Sequence, residues 1–179
     1  MIIARELRSK NIAEYLIYMF QLEDLVRAFN ADIEKIYEVH IRHFNLKGKE
    51  LEECKHWYAT LCNMMQEENI MKQGHLQFLH HKIRELESFH LQLLNASEEG
   101  EYVTAFQGCE TDVNVFRQKT GLKGDIEPAL TALYTLLLMR MKKMEISEDT
   151  SSSMDRISKW MALLAQQYYE FETGRKEVY

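Results

Sequence analysis

The chain has 179 residues, 46% of them hydrophobic and 28% charged, with a net charge of −6. This length supports one packed domain without a metal or disulfide staple, and the composition excludes an intrinsically disordered chain. Basic residues are scattered among acidic ones, so the sustained positive face that neutralises phosphates is missing and no nucleic-acid partner is expected.

One proline and seven glycines point to helix throughout, because both residues interrupt helices at a cost. The first strong start signal is Asn11-x-x-Glu14, the spacing at which a cap residue and an acid satisfy backbone amides. A short turn containing Ile3 and Leu7 is expected before it. From Ile12, steps of four and three reach Leu16, Met19, Glu23, Val26, Asn30 and Ile33, an apolar stripe with a carboxylate and an amide in it. Without a break this helix would run about 34 residues, or about 50 Å, too long for a domain about 40 Å across. A break is therefore expected at Asn30-Ala31-Asp32, with a second helix over 33–43.

Gly48 opens a helix with the stripe Leu51, Cys54, Tyr58, Leu61 and Met65, and Gly74 marks a joint. Leu76, Leu79, Ile83, Leu86, His90 and Leu93 form the next stripe. Residues 95–100 read as a turn, and Tyr102, Phe106, Cys109, Val113 and Phe116 as one fifth helix. Gly121 followed by Leu122 has the pattern of a left-handed C-cap, and Asp125 is placed to cap a helix with Pro128 in its first turn. Residues 145–153 read as a flexible link, Met154 to Phe171 as the last amphipathic helix, and 174–179 as a frayed tail. No segment alternates with period two. The expectation is an all-α, single-domain helical bundle over 1–179 with six to seven mostly antiparallel helices.

The three cysteines have no CxxC spacing and read as reduced, buried thiols. The opening MIIARELRSK lacks a signal-peptide core, and the most apolar run, 129–139, falls short of the roughly 20 residues needed to cross a bilayer. A cytoplasmic protein with no membrane partner is expected.

Seven histidines call for a metal check. Glu53-x-x-His56 and Glu87-x-x-His90 match the ExxH spacing of di-iron bundles, but two matches are close to chance in so glutamate-rich a chain. His56 points away from its apolar stripe, and the matches fall on consecutive helices, so neither a metal nor a cofactor is expected. His90 falls inside an apolar stripe, where the expectation is a neutral core histidine bonded to a carbonyl or carboxylate such as Glu87. Nucleophile signatures and phosphate-binding glycine loops are absent.

Glu23 and Arg27 stand at i and i+4, in the order that favours an ion pair. With Gln21, Asp24 and Asn30 they form either a buried structural lock or, with His90, a polar ligand pocket. The lock is the leading expectation.

This stretch carries a resemblance. The patterns AxELxxKNIAEYLxYM and QxEDLxRAFN, here spanning Ala4 to Asn30, resemble an uncharacterised all-helical family known from Bacteroides and related bacteria, designated only as a domain of unknown function. The resemblance implies a helical fold and a bacterial cytoplasmic setting, and it brings no activity. Two functions are weighed. The first is a non-enzymatic helical domain acting through protein contacts, as a homodimer or with another cytoplasmic partner. It rests on apolar and aromatic faces that include Trp57, Trp160, Tyr168 and Tyr169. The second is a small-ligand-binding or enzymatic bundle with a pocket at Glu23, Arg27, Asn30 and His90.

Overall fold

Asn11 starts the helix around which the others gather. In a computed structural model describing residues 2–96 and 100–175, its backbone is extended, at φ −152° and ψ 99°, and its side chain accepts from the N–H groups of Ala13 and Glu14. Its side-chain amide also donates to Glu14 at 2.9 Å. The backbone N–H of Asn11, the donor that the N-x-x-E spacing predicts for Glu14, goes instead to Leu7 O at 2.7 Å because a helix precedes it. The helix that follows, α2 (Ile12–Ala28), ends where expected. Asn30 and Ala31 take left-handed φ of 50° and 58°, and Asp32 caps α3 (Ile33–Val39) by accepting from Lys35 N–H.

The described residues are all-helical, and they hold nine α-helices where six to seven were expected. Two local causes account for the difference from seven, and a third shortens a helix without adding one. The expected leading turn is a helix, α1 (Ile2–Lys10), which gives way to α2 at the extended Asn11. The helix expected over 33–43 breaks at His40, whose φ of −134° is not helical, and continues as a 3-10 turn, Ile41–Phe44. The single fifth helix is two, α6 (Glu101–Gln107) and α7 (Glu110–Thr120), because Cys109 sits between them at φ −123° and ψ −2°. Between these lie α4 (Gly48–Glu67) and α5 (Gln77–Ala96).

Gly121 caps α7 in the left-handed conformation, as its sequence context predicts, and α8 (Ile126–Met141) follows. The flexible link expected over 145–153 is shorter. Ser147 accepts from Thr150 N–H and caps α9 (Glu148–Glu172), so residues 148–153 are its first turns. Of the tail expected to fray, 176–179 lie outside the described residues.

Helices α2, α8 and α9 pack against one another, with α1 along α2. Helix α5 packs against α6, α8 and α9, helix α6 against α9, and α7 against α8 and α9. The core holds Leu16, Met19 and Val26 from α2, Ala129 and Leu130 from α8, and Trp160, Leu164 and Tyr168 from α9. Trp160 and Tyr168 therefore serve the core and not a surface, a correction to their expected role in partner contacts. The Tyr168 hydroxyl donates to Glu85 and Glu172, while Lys82 donates to Glu85 at 2.7 Å, tying α5 to α9. All three cysteines are free and buried. Burial, reinforced by nearby Asp112, pushes the Cys109 thiol up to about 12. No helix among the described residues is long and apolar enough to cross a membrane.

Asn11→Ala removes the acceptor that caps α2 and the side-chain bond to Glu14. It should cost about 1 kcal/mol, read as a lower urea midpoint at unchanged slope.

Candidate functional site

Glu23 lies on the buried stripe of α2 with none of its surface exposed. A carboxylate withdrawn from water must be paired and hydrogen-bonded or it is strongly destabilising. Its partners come from residues 68–76, which join α4 to α5. His75 Nδ1 lies 2.5 Å from Glu23 Oε2, and Leu76 N–H donates to Oε1 at 2.8 Å. The His75 ring also stacks on Phe20, with centroids 3.9 Å apart and planes 23° from parallel.

Arg27, one turn further along, holds the same segment. Its Nε donates to Ile70 O at 3.1 Å and its Nη2 to Gly74 O. Its Nη1 donates to Asp24 Oδ1 at 2.9 Å. The second Asp24 oxygen accepts from the Tyr134 hydroxyl of α8 at 2.5 Å. Burial, with Asp24 adding to it, pushes the Tyr134 hydroxyl well above the usual phenol range, so it remains a donor. The expected ion pair between Glu23 and Arg27 is thus replaced. Arg27 pairs with Asp24, and both Glu23 and Arg27 hold a segment more than 40 residues away in the chain.

Of the other residues in the motif, Gln21 is half-buried and Asn30 is exposed in the left-handed turn after α2. His90 is fully buried but belongs to a different cluster. Its Nδ1 is 2.7 Å from the Tyr102 hydroxyl, and the Phe106 and Trp160 rings meet it edge-on with centroids 4.7 and 5.1 Å away. Its Nε2 lies 3.6 Å from Asp125 Oδ2. Glu87, the partner expected for His90, does something else. Its carboxylate accepts from the N–H groups of Asp125 and Ile126 and so caps α8. Asp125, expected to be that cap, makes no side-chain cap bond and accepts instead from Arg117 at 3.3 Å. Gly124 makes the arrangement possible. Its φ is +70°, and a Cβ there would lie 2.5 Å from Glu87 Oε2.

Sequence reasoning missed His75, Tyr134 and the capping role of Glu87. Gly74 and the second glycine of GLKGD were the only local signals, since none of the three shares a turn of helix with its partner. The layout of Phe20, Glu23 and His75 positions an imidazole in the way a proton-transfer site does. Two cavities among the described residues lie elsewhere and reach none of these side chains. One, of about 440 Å³, is a groove along α8 between α7 and α9, lined by Val115, Phe116, Leu136, Met139 and Met154. Asp112 borders it, held by Arg156 at 2.8 and 3.0 Å, and the guanidinium keeps its carboxyl below the usual aspartate range. The other, of about 390 Å³, lies between α1, the 3-10 turn and α4. Among the described residues no group of three or more His, Cys, Asp and Glu is arranged to hold a metal ion.

Residues 1–175 match the family model described as domain of unknown function DUF4924. The chain belongs to this family. The likeness seen over Ala4 to Asn30 therefore extends across the match, and the α2 cluster, the segment it holds and both cavities all lie inside DUF4924. No curated protein and no solved structure matches the chain. The function of this DUF4924 chain is unknown, since no activity comes with the family description.

Glu23→Ala leaves His75 and the Leu76 N–H without their acceptor and should cost about 2–4 kcal/mol in chemical unfolding. Glu23→Gln should cost less than about 1 kcal/mol, because an amide can accept from Leu76 and donate to a neutral His75. Gly124→Ala should cost about 2 kcal/mol in the parent and about half that in a Glu87→Ala background, where only the backbone term remains. A four-variant unfolding cycle measures the difference.

Proposed function

We propose that the chain is a non-enzymatic cytoplasmic domain acting through protein contacts, and that the groove between α7, α8 and α9 receives an amphipathic helix of a partner protein. The single observation that carries this reading is the apolar strip in that groove, formed by Val115, Phe116, Leu136, Met139 and Met154 among polar and charged lining residues. Val115 is 46% exposed, and Met139 of α8 and Met154 of α9 both line the groove. Outside the groove, Met141 at the end of α8 and Met144 just beyond it are 67% and 52% exposed. Unbranched thioethers adapt to different apolar shapes, which suits a surface that must be covered by another chain.

The dimensions support a helical occupant. The α8 floor runs from Ala132 to Met139, with Leu136 between. That is about 10 Å, or two turns, matching anchors at i, i+4 and i+7 of a docked helix. Lys119, Asp112 and Asp149 all line the groove, so an occupant carrying both signs of charge fits better than a uniformly charged one. In the same reading Glu23, Asp24 and Arg27 serve the fold, since their charged atoms are already engaged by protein groups.

A photo-crosslinking amino acid at the exposed Thr135 should give one light-dependent adduct with a partner protein in cells, lost on Met154→Glu. The same probe at Glu52, on the exposed face of α4, should give none. An adduct of twice the chain mass would make the occupant a second copy, and equal labelling from both positions would overturn the reading.

A further inference from the structure

The cavity between α1, the 3-10 turn and α4 has a different character from the groove. Ile3, Phe44, Leu46 and Cys54 supply its apolar surface, and Arg5, Glu50 and Glu53 supply its charge. Its volume, about 390 Å³, falls within the range of small-molecule sites, about 300–1,000 Å³. The walls are preformed. The edge of the His40 ring meets Phe44 with centroids 5.0 Å apart, and left-handed residues Asn45 and Gly48, at φ 54° and 53°, bracket Leu46. The floor is Cys54, only 4% exposed, and burial pushes its thiol up so that it stays neutral.

Two of the three charges are exposed and, among the described residues, unpaired. Lys49 engages Glu53 at 3.6 Å. Arg5 and Glu50 line the same cavity, yet among the described residues neither makes an ion pair or hydrogen bond, with each other or with a third group. Among the described residues, an unpaired cation and an unpaired anion therefore border an apolar space.

We propose that this cavity binds a free α-amino acid with an apolar side chain, Arg5 taking the carboxylate, Glu50 the ammonium, and Phe44, Leu46 and Cys54 the side chain. Other small amphiphiles satisfy only part of the lining. A fatty acid meets Arg5 but brings its carboxylate beside Glu50, and an alkylamine meets Glu50 but brings its ammonium beside Arg5. A zwitterion satisfies both, and an apolar side chain displaces water from the floor. This site is separate from the helix-docking groove, so either assignment can fail without the other.

Isothermal titration of the full chain with L-phenylalanine tests the assignment. Binding is expected with Kd about 0.1–1 mM, at least about tenfold weaker for phenylalaninamide and for N-acetylphenylalanine, each of which lacks one charge. Arg5→Met should weaken phenylalanine binding about tenfold while leaving phenylalaninamide unaffected, and Glu50→Gln should leave N-acetylphenylalanine unaffected. Both positions are exposed, so thermal melts matching the parent are expected for these variants. Leu46→Trp should fill the cavity and abolish binding. Absence of binding at about 10 mM phenylalanine, equal affinity for either analogue, or binding that survives Leu46→Trp would each overturn the proposal.

Discussion

The carboxylate of Glu23 is a charge withdrawn from water, and the path of residues 68–76 follows from the need to pair it. A helix can bury a glutamate on its core stripe only if donors are brought to it. Here they come from the segment between α4 and α5, whose imidazole and backbone N–H face the two oxygens. Arg27 completes the hold by collecting the carbonyls of Ile70 and Gly74, and Asp24 carries the connection to Tyr134 on α8. Three charged residues within two turns of α2 thus fix where a connecting segment lies and how α8 docks.

The same logic recurs at the start of α8. A helix N-terminus needs acceptors, and the acceptor comes from Glu87 on α5 and not from the neighbouring Asp125. The long-range cap binds α5 to α8, at the cost of a position, Gly124, that no side chain can occupy without moving the carboxylate. His90, one turn past Glu87, is then free to face Tyr102, Phe106 and Trp160. Buried polar groups in this protein register helices against one another, and the apolar core fills the space they define.

The groove along α8 and the cavity beside Cys54 lie in regions that the Glu23 and His90 clusters do not reach. Both are built where short helices meet long ones: α7 against α8 and α9, and α1 with the 3-10 turn against α4.

Much of the architecture was legible in the chain. The all-helical class, the Asn11 cap, the break at Asn30-Ala31-Asp32 and the Gly121 cap are settled by contacts within a few residues. Apolar spacing likewise placed Glu23 and His90 on buried stripes, because burial on a helix follows the angular position of each residue. The split between α6 and α7 was hidden because a lone glycine, Gly108, inside an apolar stripe is tolerated in a helix. The break at His40 has no glycine or proline to announce it. What only the tertiary structure decided is partner choice. His75 meets Glu23 across 52 positions, Glu87 caps α8 from 39 away, and Tyr134 meets Asp24 across 110. A local pair such as Glu23 and Arg27 is favoured in an isolated helix by only about 0.3–0.5 kcal/mol. Burying either charge without better partners costs several times more, so the packed structure overrules the spacing.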